Sequence, residues 1–268
     1  MKKIISLVAV SILFIVGLTS CGEKKVEEKS LEIKVGATPV PHAEILEVAK
    51  EELAEKGYSL EVVEFTDYVT PNLALSDGEI DANFFQHIPY LEEFAKERNL
   101  DLVSAGGVHV EPMGLYSGKI KDFADLKDGS VIAIPNDPSN GARALILLQT
   151  NGLIKLDPSA GLKATEYDIT ENSRNFKFEA LEAAQLPRVL SDVDAAVING
   201  NYAIESGLNP VKDALIIEGA ESPYVNIVAV KTGEEKSEKI TALMTALKSE
   251  KVKTFIQEKY QGGVVPIF

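Results

Sequence analysis

Two stretches of this chain are built alike. Leu75-Ser76-Asp77-Gly78-Glu79-Ile80-Asp81-Ala82 and Leu190-Ser191-Asp192-Val193-Asp194-Ala195 each read as a helix end, a turn, and a strand opening with an aliphatic residue, Asp and Ala. Such units are common, so a chance match stays open; the sharper reading is two halves of like construction. The surrounding periodicity fits it. Residues 31–35 alternate as a strand, and residues 43–56 put Ile45, Leu46, Ala49 and Leu53 on one helical face before Gly57. Strands at 60–65 and 80–85, a short helix at 71–76 and a helix at 90–98 come next, then strand residues at 102–115 broken at Gly106-Gly107. A second series has strands at 131–134 and 193–198, with helices at 141–150, 179–190 (interrupted by Pro187) and 202–206. Strands at 214–217 and 225–230 and a long amphipathic helical region at 236–257 complete it. Strands alternating with helices predict an α/β chain with a largely parallel sheet.

The late apolar strand at 225–230 must rejoin a sheet, so the expected lobes are discontinuous: residues 31–110 plus 220–268, and residues 111–219. In open α/β sheets, ligands bind beyond the carboxyl ends of the strands. Those ends would present Asn83-Phe84-Phe85 from one lobe and residues 199–201 from the other, with a small-molecule cleft between.

The N-terminus reads as a processing signal. Lys2 and Lys3 precede an apolar run at residues 4–18, shorter than the ~20 residues a spanning helix needs. Leu18-Thr19-Ser20-Cys21 then resembles a bacterial lipobox, with residues 1–20 as the leader and Cys21 as the lipidated first residue. Residues 21–30, rich in Glu and Lys without apolar period, read as a solvated tether. Acyl chains would supply a membrane affinity that the acidic body, at net charge −14, lacks.

That charge also argues against nucleic acid, whose phosphates need a basic face. A single cysteine excludes a disulfide framework and a Cys-based zinc site. No nucleophile elbow, zinc-protease helix, P-loop or dinucleotide turn occurs, so no enzyme is expected and no cofactor is assigned. His42, His87 and His109 lack the helical spacing of metal ligands, although a fold can join distant histidines. A metal-binding receptor is therefore the alternative, tested by whether the three converge. A secreted hydrolase, which needs a nucleophile–base pair in the cleft, and a structural surface lipoprotein without a buried polar cleft are the remaining rivals.

The most unusual segment is Asp81-Ala82-Asn83-Phe84-Phe85-Gln86-His87-Ile88-Pro89-Tyr90. Phe84 continues the inward register of Ile80 and Ala82 and is assigned to the core. Phe85 is then the cleft candidate, able to hold an apolar or thioether group. In Asn136-Asp137-Pro138-Ser139-Asn140-Gly141-Ala142-Arg143, Ser139 or Asn140 is expected to cap a helix. Arg143 in its first turn can grip a carboxylate, although an arginine kept for solubility is the plain alternative. Asn199-Gly200-Asn201-Tyr202 and Ser222-Pro223-Tyr224-Val225-Asn226 add amides that both donate and accept, or serve as turns and caps.

With Val197-Ile198-Asn199-Gly200-Asn201-Tyr202-Ala203, the lipobox and residues 81–90 and 136–145, the chain resembles the methionine-binding lipoproteins, the MetQ/NlpA family, from about Leu31 to its end. The resemblance implies a two-lobed type II periplasmic-binding-protein-like fold. It implies capture of L-methionine, a related amino acid or a methionine dipeptide, and delivery to the permease and ATPase of an ABC importer at the extracytoplasmic membrane face. It also implies that Tyr68, Phe85, His87 and Tyr90 form the side-chain pocket and its rim. Arg143 would bind the carboxylate, and Asn140, Asn201 and Asn226 the polar end. Gly200 and the Gly141-Ala142 pair depart from the family pattern and leave the ligand's identity open.

Overall fold

The computed structural model describes residues 31–219 and 222–268; the leader, Cys21 and the tether expected at residues 1–30 lie outside the described residues. The first series of elements is β1 (Glu32–Ala37), α1 (Glu44–Glu55), β2 (Ser59–Glu64), α2 (Thr70–Asp77), β3 (Ala82–His87), α3 (Ile88–Arg98) and β4 (Leu102–Val110). The second runs β5 (Gly114–Tyr116), β6 (Val131–Pro135), α4 (Pro138–Thr150), β7 (Lys155–Leu156), β8 (Ile169–Glu171), β9 (Lys177–Leu181), β10 (Ala195–Ile198), α5 (Gly200–Glu205), α6 (Pro210–Asp213) and β11 (Ile216–Ile217). The chain then returns through β12 (Val225–Lys231), α7 (Glu238–Leu247), α8 (Glu250–Tyr260) and β13 (Val265–Pro266).

Two main sheets result, ordered β13-β4-β12-β3-β1-β2 and β11-β5-β10-β6-β9. Each has its own core. Ile33, Val35 and Phe84 of the first sheet pack with α1, α7 and α8, while Leu75, Leu91 and Ile227 fill its other face. In the second, Ile132 and Val197 pack on Leu145 and Leu148 of α4, and Tyr116, Leu186 and Tyr202 fill the opposite face. Each buried aliphatic side chain contributes roughly 1.5–3 kcal/mol, which makes these faces the main source of stability in either half.

The matched units are one device used twice. Asp81 N–H donates to Lys34 O at 2.8 Å, and Lys34 N–H donates back to the Asp81 carboxylate at 2.8 Å. Asp194 N–H donates to Val131 O at 3.0 Å, and Val131 N–H returns to the Asp194 carboxylate at 2.8 Å. Each aspartate ties the strand beginning at the following alanine, β3 or β10, to its parallel neighbour, β1 or β6.

Several expectations need correction. The sheets are mixed: β12 lies antiparallel to β3 and β4, and β5 antiparallel to β10 and β11. β12 reaches the first sheet from the other half of the molecule and not by a crossover helix, so nothing imposes parallel pairing on it. Gly106-Gly107 does not break its strand; β4 runs through, with register shifts against β12. A Cβ on Gly107 would meet Val225 Cγ1 at 2.6 Å, so the glycine permits close approach of two strands. The helix expected at 179–190 is the end of β9 followed by a 3-10 stretch, Ala183–Val189. β9 is an edge strand with no fully buried residue, and its brief Lys177-Phe178-Glu179-Ala180 alternation runs straight into the helix-forming residues that follow. The C-terminal helical region is two helices, because Ser249 Oγ accepts from Val252 N–H and starts α8 afresh.

Candidate functional site

The chain crosses between the sheets twice, at residues 111–113 and between β11 and β12. Beside these crossings lies a narrow cavity lined by residues of both sheets. Tyr68, Phe85, His87, Tyr90, Asn140, Arg143, Asn201 and Asn226 all line it, so every sequence-nominated ligand residue meets there. Phe84 lies in the core beneath.

One wall is aromatic. Tyr68 lies 5.7 Å from Phe85, 5.7 Å from Tyr90 and 4.9 Å from Tyr202, ring centre to ring centre. The Tyr90 hydroxyl donates to Tyr68 O at 2.9 Å and the Tyr68 hydroxyl to Asn201 Oδ1 at 2.5 Å, so the rings are held at both ends. Burial pushes the phenols of Tyr68, Tyr90 and Tyr202 above their usual range, and they stay neutral donors.

The local sequence explains how these groups are presented. β3 is buried along its whole length and runs directly into α3, whose Tyr90 N–H donates to His87 Nδ1 at 3.2 Å. That leaves His87 Nε2–H to donate to Asn140 Oδ1 at 3.1 Å, across to the second half. Burial and the Arg143 charge lower His87 to about 3, so it is neutral. The cap of α4 is Asp137, and not Ser139 or Asn140: its Oδ1 accepts from Asn140 N–H at 2.9 Å. Asp137 also accepts from Asn140 Nδ2 while Asn199 Nδ2 donates to Asn140 Oδ1, so the Asn140 amide is wholly engaged in joining elements. Two polar atoms of lining residues have no partner among the described residues, Asn199 Oδ1 and Asn201 Nδ2.

Arg143 is buried at the crossings. Its Nε donates to Glu218 Oε1 at 3.0 Å, Nη2 donates to Glu218 Oε2, and Nη2 also donates to Glu111 O at 2.8 Å. The guanidinium lies 4.3 Å from the centre of the Tyr224 ring. None of these bonds uses Nη1.

Glu111, which sequence reasoning missed, is the buried carboxyl group of the lining. His109 Nε2 lies 2.7 Å and His42 Nε2 3.2 Å from its Oε1, and the Asn201 backbone N–H also donates to the carboxylate. Burial raises its pKa, opposed by His42, Arg143 and that N–H. Two of the three histidines therefore converge, their ligand atoms and that of Glu111 all within 4.8 Å of one another, while His87 is held elsewhere by Asn140. A 2.7 Å separation is hydrogen bonding; ligands ~2.0–2.1 Å from a tetrahedral zinc would sit roughly 3.3 Å apart. Thr38 Oγ1 lies 2.7 Å from His42 Nδ1, giving a hydroxyl–imidazole–carboxylate chain, but Thr38 and His42 are fully buried and lie outside the cavity lining.

The model of the NlpA lipoprotein family matches residues 33–268 of this chain. The chain belongs to the NlpA lipoprotein family. It is 45% identical over 273 residues to the Bacillus subtilis methionine-binding lipoprotein MetQ, covering 100% of this chain and 99% of that one. It is 46% identical over 250 residues to the Treponema pallidum membrane lipoprotein TpN32, covering 93% of this chain and 92% of that one. Among solved structures, a Burkholderia cenocepacia nutrient-binding protein bound to methionine superposes with a TM-score of 0.86 at 47% identity, over 88% of this chain and 100% of that one. The NlpA-family fold is thus the two-lobed α/β fold of periplasmic binding proteins, as the two sheets and their separate cores require.

In this NlpA-family chain, Glu111 and Glu218 carry weak sequence signals. Each is a lone acid beside an apolar run, Val108-His109-Val110 or Leu215-Ile216-Ile217, and both runs end at a crossing. A carboxylate in such a place is either at the surface or paired, and only the fold shows that Arg143 and the imidazoles are the partners.

Proposed function

We propose that this protein is an extracytoplasmic, lipid-anchored binding protein that captures L-methionine, or a close relative such as a methionine dipeptide, and passes it to an ABC importer. It performs no catalysis. The observation that carries the reading is the pair of unsatisfied polar atoms, Asn199 Oδ1 and Asn201 Nδ2, on residues lining a cavity that also holds a buried cation and a buried anion. A zwitterionic amino acid needs that set, because a buried polar group left unpaired costs about 1–3 kcal/mol. The ligand carboxylate meets Arg143 from the Nη1 side, so the Glu218 pair need not break. The ammonium donates to Glu111 and to the Asn199 and Asn226 amide oxygens, the free Asn201 Nδ2–H donates to the carboxylate, and the thioether lies against Phe85, Tyr68 and Tyr90. The Bacillus subtilis relative is named for methionine and the Burkholderia cenocepacia protein is bound to it, in agreement with this ligand.

The lobes are residues 31–110 plus 220–268 and residues 111–219. His87–Asn140, Tyr68–Asn201 and Tyr202–Thr66 hydrogen bonds join them, so the geometry is a closed one that ligand contacts would favour. The importer's permease and ATPase then receive the loaded, closed form. No helix among the described residues is long and apolar enough to cross a membrane, and attachment falls to acylated Cys21. Cys21→Ser is expected to free the processed body from membranes or leave the precursor uncleaved; normal processing with unchanged fractionation defeats the anchor. Native mass spectrometry of gently purified protein is expected to show one methionine per chain. A ligand without an α-carboxylate and α-ammonium would overturn the binding reading.

A further inference from the structure

Thr38, His42 and His109 make none of the ligand contacts proposed above, yet with Glu111 they form a chain that joins separate elements behind the cavity. Its acceptors dictate where its hydrogens sit. When Glu111 is ionised its carboxylate accepts only, and the imidazole nitrogens beside Oε1 carry the hydrogens. His109 Nε2, at 2.7 Å, and His42 Nε2, at 3.2 Å, therefore both donate to that one oxygen. His42 Nε2 also lies 3.2 Å from Asn226 Oδ1, again an acceptor. His42 Nδ1 is then a bare lone pair, and the Thr38 hydroxyl at 2.7 Å donates to it. His109 Nδ1 is buried with no partner among the described residues, an arrangement that suits a lone pair and penalises a charged N–H.

We infer that Thr38, His42 and His109 are positioning residues for ligand capture, two neutral Nε2–H imidazoles that hold Glu111 ionised and aimed at the ligand's ammonium. This rests on the reading that Glu111 receives that ammonium. Two converging donors stabilise the carboxylate form against the burial that opposes it, and charge-assisted hydrogen bonds are about twice as strong as neutral ones. A protonated Glu111 would present no counter-charge. Burial holds both imidazoles far from protonation, His42 at about 4 and His109 at about 3, so neither becomes the cation that would repel an ammonium.

The charged and titratable groups facing Glu111 are few. His42 comes from the turn before α1, His109 from β4, and Arg143 from α4 through Glu111 O. The Tyr68 and Tyr260 phenols sense its charge, and burial raises both beyond the neutral range. Between pH 6 and 8 the carboxyl of Glu111 is therefore the group in this cluster whose ionisation the donors decide.

The test uses the full soluble body. In the parent protein, long-range nitrogen–proton NMR is expected to show His42 and His109 both protonated at Nε2 only, without titration from pH 6 to 8. An imidazolium, or an Nδ1–H tautomer at either residue, overturns the proposal without any variant. Calorimetry with methionine is expected to give an affinity that is flat over the same range. In His109→Leu, which removes the shorter bond, affinity should fall toward low pH by up to about tenfold per pH unit once below the freed Glu111 pKa. His109→Gln, which keeps an N–H and cannot ionise, should restore the flat profile. A flat profile in folded His109→Leu defeats the positioning role. Glu111→Gln separates the two levels: unchanged methionine affinity there overturns the ammonium assignment itself, whereas a large loss beside a flat His109→Leu profile overturns the positioning role alone.

Discussion

The two halves share a strand lock and differ in the residues that come after the locked strand. Asp81 and Asp194 make the same reciprocal pair of hydrogen bonds to the neighbouring strand. After Asp81, β3 continues to His87 and enters α3, setting Phe85, His87 and Tyr90 on the cavity. After Asp194, β10 stops at Ile198, and Asn199, Gly200 and Asn201 turn directly into α5. The first half thus supplies the lining rings and the His87 imidazole together with the Gln86 and Asn226 amides, the second the amides of Asn140, Asn199 and Asn201 and the guanidinium. A repeated scaffold fixes where chemistry is displayed; the few residues past the strand end decide which chemistry it is.

The contrast breaks most clearly at Arg143. Arg143→Ala is expected to cost roughly 2–5 kcal/mol of methionine binding, about 30- to several-thousand-fold, since the ligand carboxylate loses its cation. Calorimetry should also show the preference for methionine over methionine amide disappearing. Parent-like affinity would mean the second half does not carry the carboxylate site.

Acid should act on the first half. His42, His87 and His109 are all there, buried and neutral, with His42 lowered to about 4 and the others to about 3. Folded values below the unfolded value near 6.5 mean that the unfolded chain takes up protons first, so their stabilisation is complete above pH 6.5 and declines as pH falls toward 4. From pH 6.5 to 5.5 this amounts to about 1 kcal/mol per histidine, offset in part by the raised carboxyls of Glu111 and Asp137, which favour the folded state on protonation. Urea midpoints at the two pH values test it; equal midpoints would show that the imidazoles are not held neutral.

The shared lock predicts equal behaviour. Asp81→Asn and Asp194→Asn should each destabilise by about 1.5–3 kcal/mol, the range for hydrogen bonds to a charged group. Asp81 should sit at the upper end, since it also pairs with Lys239 at the edge of α7, whereas Asp194 is 3.9 Å from Lys119. Chemical denaturation in which only one variant loses stability would break the equivalence.

Phe85→Ala gives the smallest change, roughly 1–2 kcal/mol of affinity through lost apolar and sulfur contacts. Methionine and its amide should weaken together, and norleucine should weaken less than methionine. Selective loss for methionine over the amide would move charge recognition to the first half.

Much of this is legible in sequence because the signals are local. The amphipathic face of α1, the register that sends Phe84 inward and Phe85 to the cavity, and the turn before Arg143 all follow from neighbours within a few residues. The features that escape depend on distant partners. Glu111 is unremarkable until His42 arrives from the start of the chain, and Glu218 until Arg143 does. β9 escapes for a different reason: its alternation of Lys177 and Glu179 with Phe178 and Ala180 is only a few residues long and is followed by Leu181, Glu182, Ala183 and Ala184, all compatible with a helix. Local sequence misplaces the α4 cap by two or three residues because Asp137, Ser139 and Asn140 are all competent caps, and Pro138 at the first helical position decides for Asp137.

Arg143 is bonded to both crossings, to Glu111 O on one and to Glu218 on the other, with Tyr224 against its face. A group so placed behaves as an axle and not as a latch. In the proposed capture and release, rotation of the halves about the crossings would move atoms on the axis least, while Tyr68–Asn201 and Glu93–Lys163 would have to part. A carboxylate held by Arg143 rides on the axis through that motion, and its side chain is uncovered first. Departure then runs from tail to head, and a ligand with a shortened tail leaves sooner even with its head group unchanged.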